Sequence, residues 1–148
     1  MLATSGNLFA AEAEQPAEAA DIQWAPSPPA AATKQLVHRW HDDYRGRISP
    51  VLREWESLAR AVQKRPGGSL TAGCRRLELA LSKLGRGRLP VAPDRSISLH
   101  LERTLRSLAD AALSCTHGAY FLTTWRLRQA DDSWRELRGR LSIYGLAP

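Results

Sequence analysis

The densest group of side chains able to do chemistry is His38-Arg39-Trp40-His41-Asp42-Asp43. On a helix His38 and His41 stand three apart and His38 and Asp42 four apart, so these three share one face. Two imidazoles and a carboxylate are a donor set for a transition metal, which makes His38, His41 and Asp42 weak metal candidates. That helix offers no third histidine or glutamate at a metal spacing, and no His-Glu-x-x-His run exists. The plainer reading is a solvated face beside Trp40 and Tyr44, with no metal and no cofactor. His100 stands alone in its segment, and His117, just before Gly118, is placed to neutralise the carbonyls of a helix end.

Other reactive constellations are missing. There is no Gly-x-Ser-x-Gly, no phosphate-binding loop and no Gly-x-Gly-x-x-Gly. Gly85-Arg86-Gly87 follows a helical segment and reads as a stop. Asp131 and Asp132 have arginines within one turn. No catalytic residue is assigned, and the chain is read as non-enzymatic.

The two cysteines, Cys74 and Cys115, rule out a disulfide-rich scaffold and a four-cysteine zinc module. Both fall on core-facing steps of helical segments. Reduced, they are small buried hydrophobes; a reactive thiol is the least favoured reading. Oxidised, they tie the second segment to the third. A tight hairpin would leave them about 15 Å apart along the axis, so the bridge requires the stretch from Gly85 to Asp94 to climb along the bundle. Pro90 and Pro93 and the weak helical pattern there permit the climb. The disulfide is the favoured expectation, and it argues for an oxidising compartment.

Charge is unevenly distributed. Residues 1–32 hold Glu12, Glu14, Glu18 and Asp21 and no Lys or Arg; the rest carries 21 basic against 11 acidic side chains. Arg75, Arg76, Lys83, Arg86 and Arg88 form a candidate basic patch, and Arg126, Arg128, Arg135, Arg138 and Arg140 a second group. Such stripes can follow phosphates. Against that stand five acid-to-arginine pairs four residues apart: Asp43–Arg47, Glu56–Arg60, Glu102–Arg106, Asp131–Arg135 and Glu136–Arg140. They read as solvated faces braced locally, and no nucleic-acid-binding motif is present.

The elements that position these residues are helical. Apolar residues recur at three- and four-residue steps in four segments. The first runs Leu36, Trp40, Tyr44, Ile48, Val51, Trp55, Leu58, Val62, with Thr33 as cap. Pro50 interrupts its backbone but not its phase, which predicts one long helix kinked near Pro50; a break with Ser49 capping a second helix is the alternative. The second runs Leu70, Cys74, Leu77, Leu81, Leu84 behind Ser69 as cap. The third runs Ile97, Leu101, Leu105, Leu108, Ala112, Cys115 behind Asp94, with Gly118 suited to a left-handed stop. The fourth runs Tyr120, Leu127, Ala130, Trp134, Leu137, Leu141, Tyr144 and ends at Gly145. Phe121 and Trp125 lie off that seam. They are expected to widen the buried face, an exposed patch for a partner being the alternative.

Length, 148 residues, and a composition of 43% hydrophobic and 24% charged side chains fit one globular domain. No apolar run reaches 18 residues, so no membrane-spanning helix is expected. The sequence therefore predicts an all-α antiparallel four-helix bundle over 33–148. A disordered acidic Pro/Ala-rich tail over 1–32 is expected to precede it. Ala11-Glu12-Ala13 has the small-x-small form of a signal-peptidase site, but its basic front and long apolar run are missing. The tail is thus either no signal or the remnant of one plus a spacer. The functional expectation is an exported, periplasmic or extracellular binding, scaffold or envelope-associated module, whose partner is a protein or an anionic envelope component. The alternative is a cytoplasmic basic helical protein that binds nucleic acid.

Overall fold

Ala31 and Ala32 are strong helix formers, and α1 starts with them, spanning Ala31–Lys64. Thr33 therefore lies inside the first turn and does not cap the helix. The computed structural model describes residues 31–64, 70–87 and 91–147; the expected acidic tail up to residue 30, and Ser69, lie outside them. Three further helices follow: α2 (Thr71–Arg86), α3 (Arg95–Thr116) and α4 (Tyr120–Ile143). Each packs antiparallel to the one before, and no strand occurs among the described residues.

Helix α1 runs through Pro50 as one helix. Proline has no N–H for the Gly46 carbonyl, so the helix passes that point with one backbone hydrogen bond fewer. Ser49 does not cap a second helix. Its hydroxyl donates to the Arg45 carbonyl at 2.6 Å, a back-bond within one continuous helix.

Helix ends follow local chemistry. Asp94 accepts hydrogen bonds from the Ser96 and Ile97 amides at 2.8 and 3.2 Å and caps α3. Gly118 and Gly145 take φ of 75° and 72°. Each closes its helix with a paired return of amides: Ala119 to Ser114 and Gly118 to Cys115 after α3, Leu146 to Leu141 and Gly145 to Ser142 after α4. Only glycine takes such a φ without strain. Leu70, at the start of α2, supplies no side-chain cap.

The core lies on the predicted seam. Tyr44, Ile48, Val51, Leu58, Cys74, Leu77, Ile97, Leu108, Ala130, Leu137 and Leu141 are at most 2% exposed. Leu36 is not part of it: it is 48% exposed, and Val37, one step on, is buried in its place. The seam at this end of α1 is set by buried Val37, Trp40 and His41, of which His41 reaches the segment after α4. Tyr120 is also largely exposed, because α4 turns its buried stripe inward only from Thr123.

Two features of the core are polar. Thr104 and Thr123 are buried but donate to carbonyls four residues back, His100 and Ala119. The Tyr44 hydroxyl is different. It is buried, stacked on Trp40 at 4.6 Å, and has no hydrogen-bond partner among the described residues. Burial pushes its pKa far above the usual tyrosine range. A buried hydroxyl left unpaired costs about 1–3 kcal/mol, so Tyr44→Phe is expected to raise stability by roughly 1 kcal/mol. A denaturant midpoint that falls in this variant would mean the hydroxyl has a partner.

Candidate functional site

The bundle has two chemically different ends. The first gathers the start of α1, the start of α3 and the end of α4. Its centre is Asp94, whose side chain is only 4% exposed. While Oδ1 caps α3, Oδ2 accepts from Arg140 Nε and Nη2 at 2.9 and 2.8 Å and from the Tyr144 hydroxyl. Burial works to raise the Asp94 pKa. The hydrogen bonds from Tyr144, Arg140 and the two amides outweigh it and hold the carboxyl below the ordinary range. Tyr144 moves the other way, raised by burial and by its bond to Asp94.

Both candidate metal histidines sit at this end, and both are engaged. His38 Nε2 donates to the Tyr144 carbonyl at 2.9 Å and His41 Nε2 to the Ala147 carbonyl at 2.7 Å. They hold the segment after α4 onto α1. Asp42 is exposed. Among the described residues no group of three or more metal-ligating side chains is brought together. His117, at the other end, donates from Nδ1 to the Leu113 carbonyl at 2.8 Å, at the α3 terminus as its position suggested.

Four of the five expected local ion pairs form, between 2.6 and 3.2 Å. The fifth does not: Arg140 turns from Glu136 to Asp94. A desolvated carboxylate that accepts two guanidinium bonds outcompetes an exposed one in water. The second arginine group is also dispersed. Arg126 faces Asp110 at 3.8 Å, and Arg135 faces Asp131 and Asp132. On α2, Arg75, Arg76, Lys83 and Arg86 are exposed within about 100° of arc, with exposed Leu79 among them. Arg76 pairs with Glu54 at 3.0 Å, and Arg88 lies outside the described residues.

The opposite end, here termed the tip, gathers the end of α1, the start of α2, the end of α3 and the start of α4. Cys74 and Cys115 meet here at disulfide distance, with Cα atoms 6.1 Å apart. α3 therefore extends about ten residues past the end of α2, roughly 15 Å, which is the axial offset the bridge required between the two helix ends. Near the cysteines, on the start of α4, stand Tyr120, Phe121, Leu122 and Trp125, all exposed, Phe121 to 90%. The expectation that Phe121 and Trp125 widen the buried face is thus overturned. Trp125 lies two residues from buried Leu127, which is about 160° around the helix, so the core cannot take both. The Arg126 guanidinium lies 4.8 Å over the Trp125 ring.

Carboxylates are sparse at the tip, with Asp110 at its edge facing Arg126 at 3.8 Å. Residues 57–77 and 111–130 contain no Asp or Glu, and folding brings both stretches to this end. Lys64, Arg75 and Arg128 are exposed there and form no ion pair among the described residues. From the tip a groove of about 710 Å³ runs between α1 and α4. Trp55 and Trp134 meet edge-to-face in it, 6.1 Å between centroids. No helix among the described residues is long and apolar enough to cross a membrane. Comparison with protein-family models, with curated proteins and with solved structures finds no match.

Proposed function

We propose that this protein is a non-enzymatic binding module of an oxidising compartment, exported and envelope-associated, and that the tip is its contact surface. The observation that carries this reading is the run Tyr120-Phe121-Leu122 with Trp125, exposed on a rigid corner of the bundle. Contiguous exposed apolar surface on a small domain marks a place where something binds. Elsewhere on the described surface four arginines are braced by neighbouring acids, and the exposed apolar residues Leu36, Leu79, Val91 and Leu99 stand singly along the sequence. The cysteine pair supports the compartment. It also stiffens the corner that carries the aromatic residues, so binding there loses little conformational entropy.

A photo-crosslinking side chain placed at position 121, in the host cell, is expected to yield a defined adduct. The same side chain at position 99, exposed on the far half of α3, is expected to yield none. Equal labelling from both positions would remove the tip as the contact surface. The nucleic-acid alternative draws chiefly on the α2 stripe, since Arg126, Arg135 and Arg140 of α4 face Asp94, Asp110, Asp131 and Asp132.

A further inference from the structure

We infer that what the tip contacts is an anionic phospholipid surface, with Phe121, Leu122 and Trp125 entering the headgroup layer; this rests on the tip being the contact surface. Three observations point to lipid. First, the surface is a protruding corner: Phe121 is 90% exposed, on the first turn after a three-residue connection. A projecting wedge suits a deformable medium, whereas a folded partner must supply a matching pocket. Second, the side chains are sorted as an interfacial layer demands. Phe121 and Leu122 are wholly apolar, while Tyr120 and Trp125 join an apolar ring to a polar atom, the types enriched at the membrane–water boundary. Third, the charge is complementary. Lys64, Arg75 and Arg128 are exposed at this end of the bundle, Arg126 covers the Trp125 ring while facing Asp110 at the edge of the tip, and residues 57–77 and 111–130 hold no carboxylate. Basic residues near an anionic leaflet add attraction that decays within a Debye length, and a carboxylate among them would oppose it.

Shallow insertion of this kind needs no spanning segment. It predicts a peripheral, reversible association that depends on both the apolar wedge and the basic ring. It also predicts that the helices keep their packing, because Phe121 and Trp125 contribute little to the core.

The test uses the full chain and flotation with vesicles of phosphatidylglycerol and phosphatidylcholine at about 3:7, against vesicles of phosphatidylcholine alone. The expected result is at least tenfold weaker binding to the neutral vesicles. Phe121→Ser with Trp125→Ser is expected to weaken binding to the anionic vesicles by at least tenfold, with an unchanged melting temperature. Lys64→Gln with Arg75→Gln and Arg128→Gln is expected to remove the preference for anionic lipid. Leu99→Ser, at an exposed position on the far half of α3, is expected to bind as the parent does. Equal binding to the two vesicle types, or binding indifferent to the double serine variant, overturns the inference. So does tight association with a DNA duplex at physiological salt that requires Phe121 and Trp125, which makes the ligand a nucleic acid. If vesicles fail to bind but position 121 crosslinks to a protein in the cell, the tip remains a contact surface and the lipid assignment falls. If neither occurs, both fall.

Discussion

Replacing Asp94 with alanine is expected to destabilise the bundle by about 3 kcal/mol, from a lost helix cap of about 1 kcal/mol and a partly buried Arg140 left without its partner. Asparagine separates the two contributions. It caps a helix about as well as aspartate, so Asp94→Asn keeps the bonds to the Ser96 and Ile97 amides. It loses the charge that Arg140 and the Tyr144 hydroxyl converge on, and about 2 kcal/mol is expected to remain as the cost. The difference must also depend on pH. The Asp94 pKa is lower folded than unfolded, so its contribution is complete above the unfolded value of about 3.9. It is lost as pH falls through the lower, folded value. Urea unfolding from pH 7 to pH 2 should therefore show the parent and Asp94→Asn converging only at the acid end. Tyr144, raised in the fold, has the opposite sign: its contribution holds below about pH 10 and fades as pH rises above that. A gap between parent and variant that stays constant down to pH 2 would mean that Asp94 is not an ionised partner of Arg140.

The largest expected effect belongs to Cys74 and Cys115. They lie 41 residues apart in sequence, and a cross-link closing a loop of that size contributes about 4 kcal/mol in the chain-entropy description. Reduction, or Cys74→Ala with Cys115→Ala, is expected to lower the melting temperature by on the order of 15 °C. Protein alkylated under denaturing conditions at the moment of host lysis should show no free thiol. Two free thiols would make the pair ordinary core residues and would remove the support for an oxidising compartment. The loss should be felt first at the tip, since the bridge joins the first turn of α2 to the last turn of α3. The aromatic residues there would then sit on a looser corner, while the Asp94 cluster keeps the other end closed.

What the sequence made legible was local. Four helices, the Asp94 cap, the Gly118 stop and four of the acid–arginine pairs all follow from contacts within five residues, where spacing is sufficient information. The cysteine pair was legible because two residues of a rare type leave one pairing, and helix lengths then state what the connection must do. Three features were hidden. Arg140 finds Asp94 across 46 residues, and nothing in the i to i+4 pattern ranks a distant buried acid above a nearby exposed one. His38 and His41 bind main-chain carbonyls, and every residue has one, so no motif marks the partner. Phe121 and Trp125 repeat at the same interval as core residues. Periodicity finds an apolar stripe but does not choose between two stripes on one helix. The absence of carboxylates from 57–77 and 111–130 was readable, and becomes informative only when folding brings the two stretches to one end.

The antiparallel arrangement puts the start of α1 and the tip at opposite ends of the molecule. Helix α1, at 34 residues, is about 50 Å long, and its Ala31 end lies beside Asp94 and the end of α4, away from the tip. Residues 1–30, with four carboxylates and no basic side chain, join the body there. Several Debye lengths therefore separate the point where the acidic segment attaches from the basic tip. On the proposed lipid contact, approach to an anionic surface is favoured with Lys64, Arg75 and Arg128 of the tip leading. Long-range steering of this kind raises the rate of productive encounter, and it weakens as salt is added.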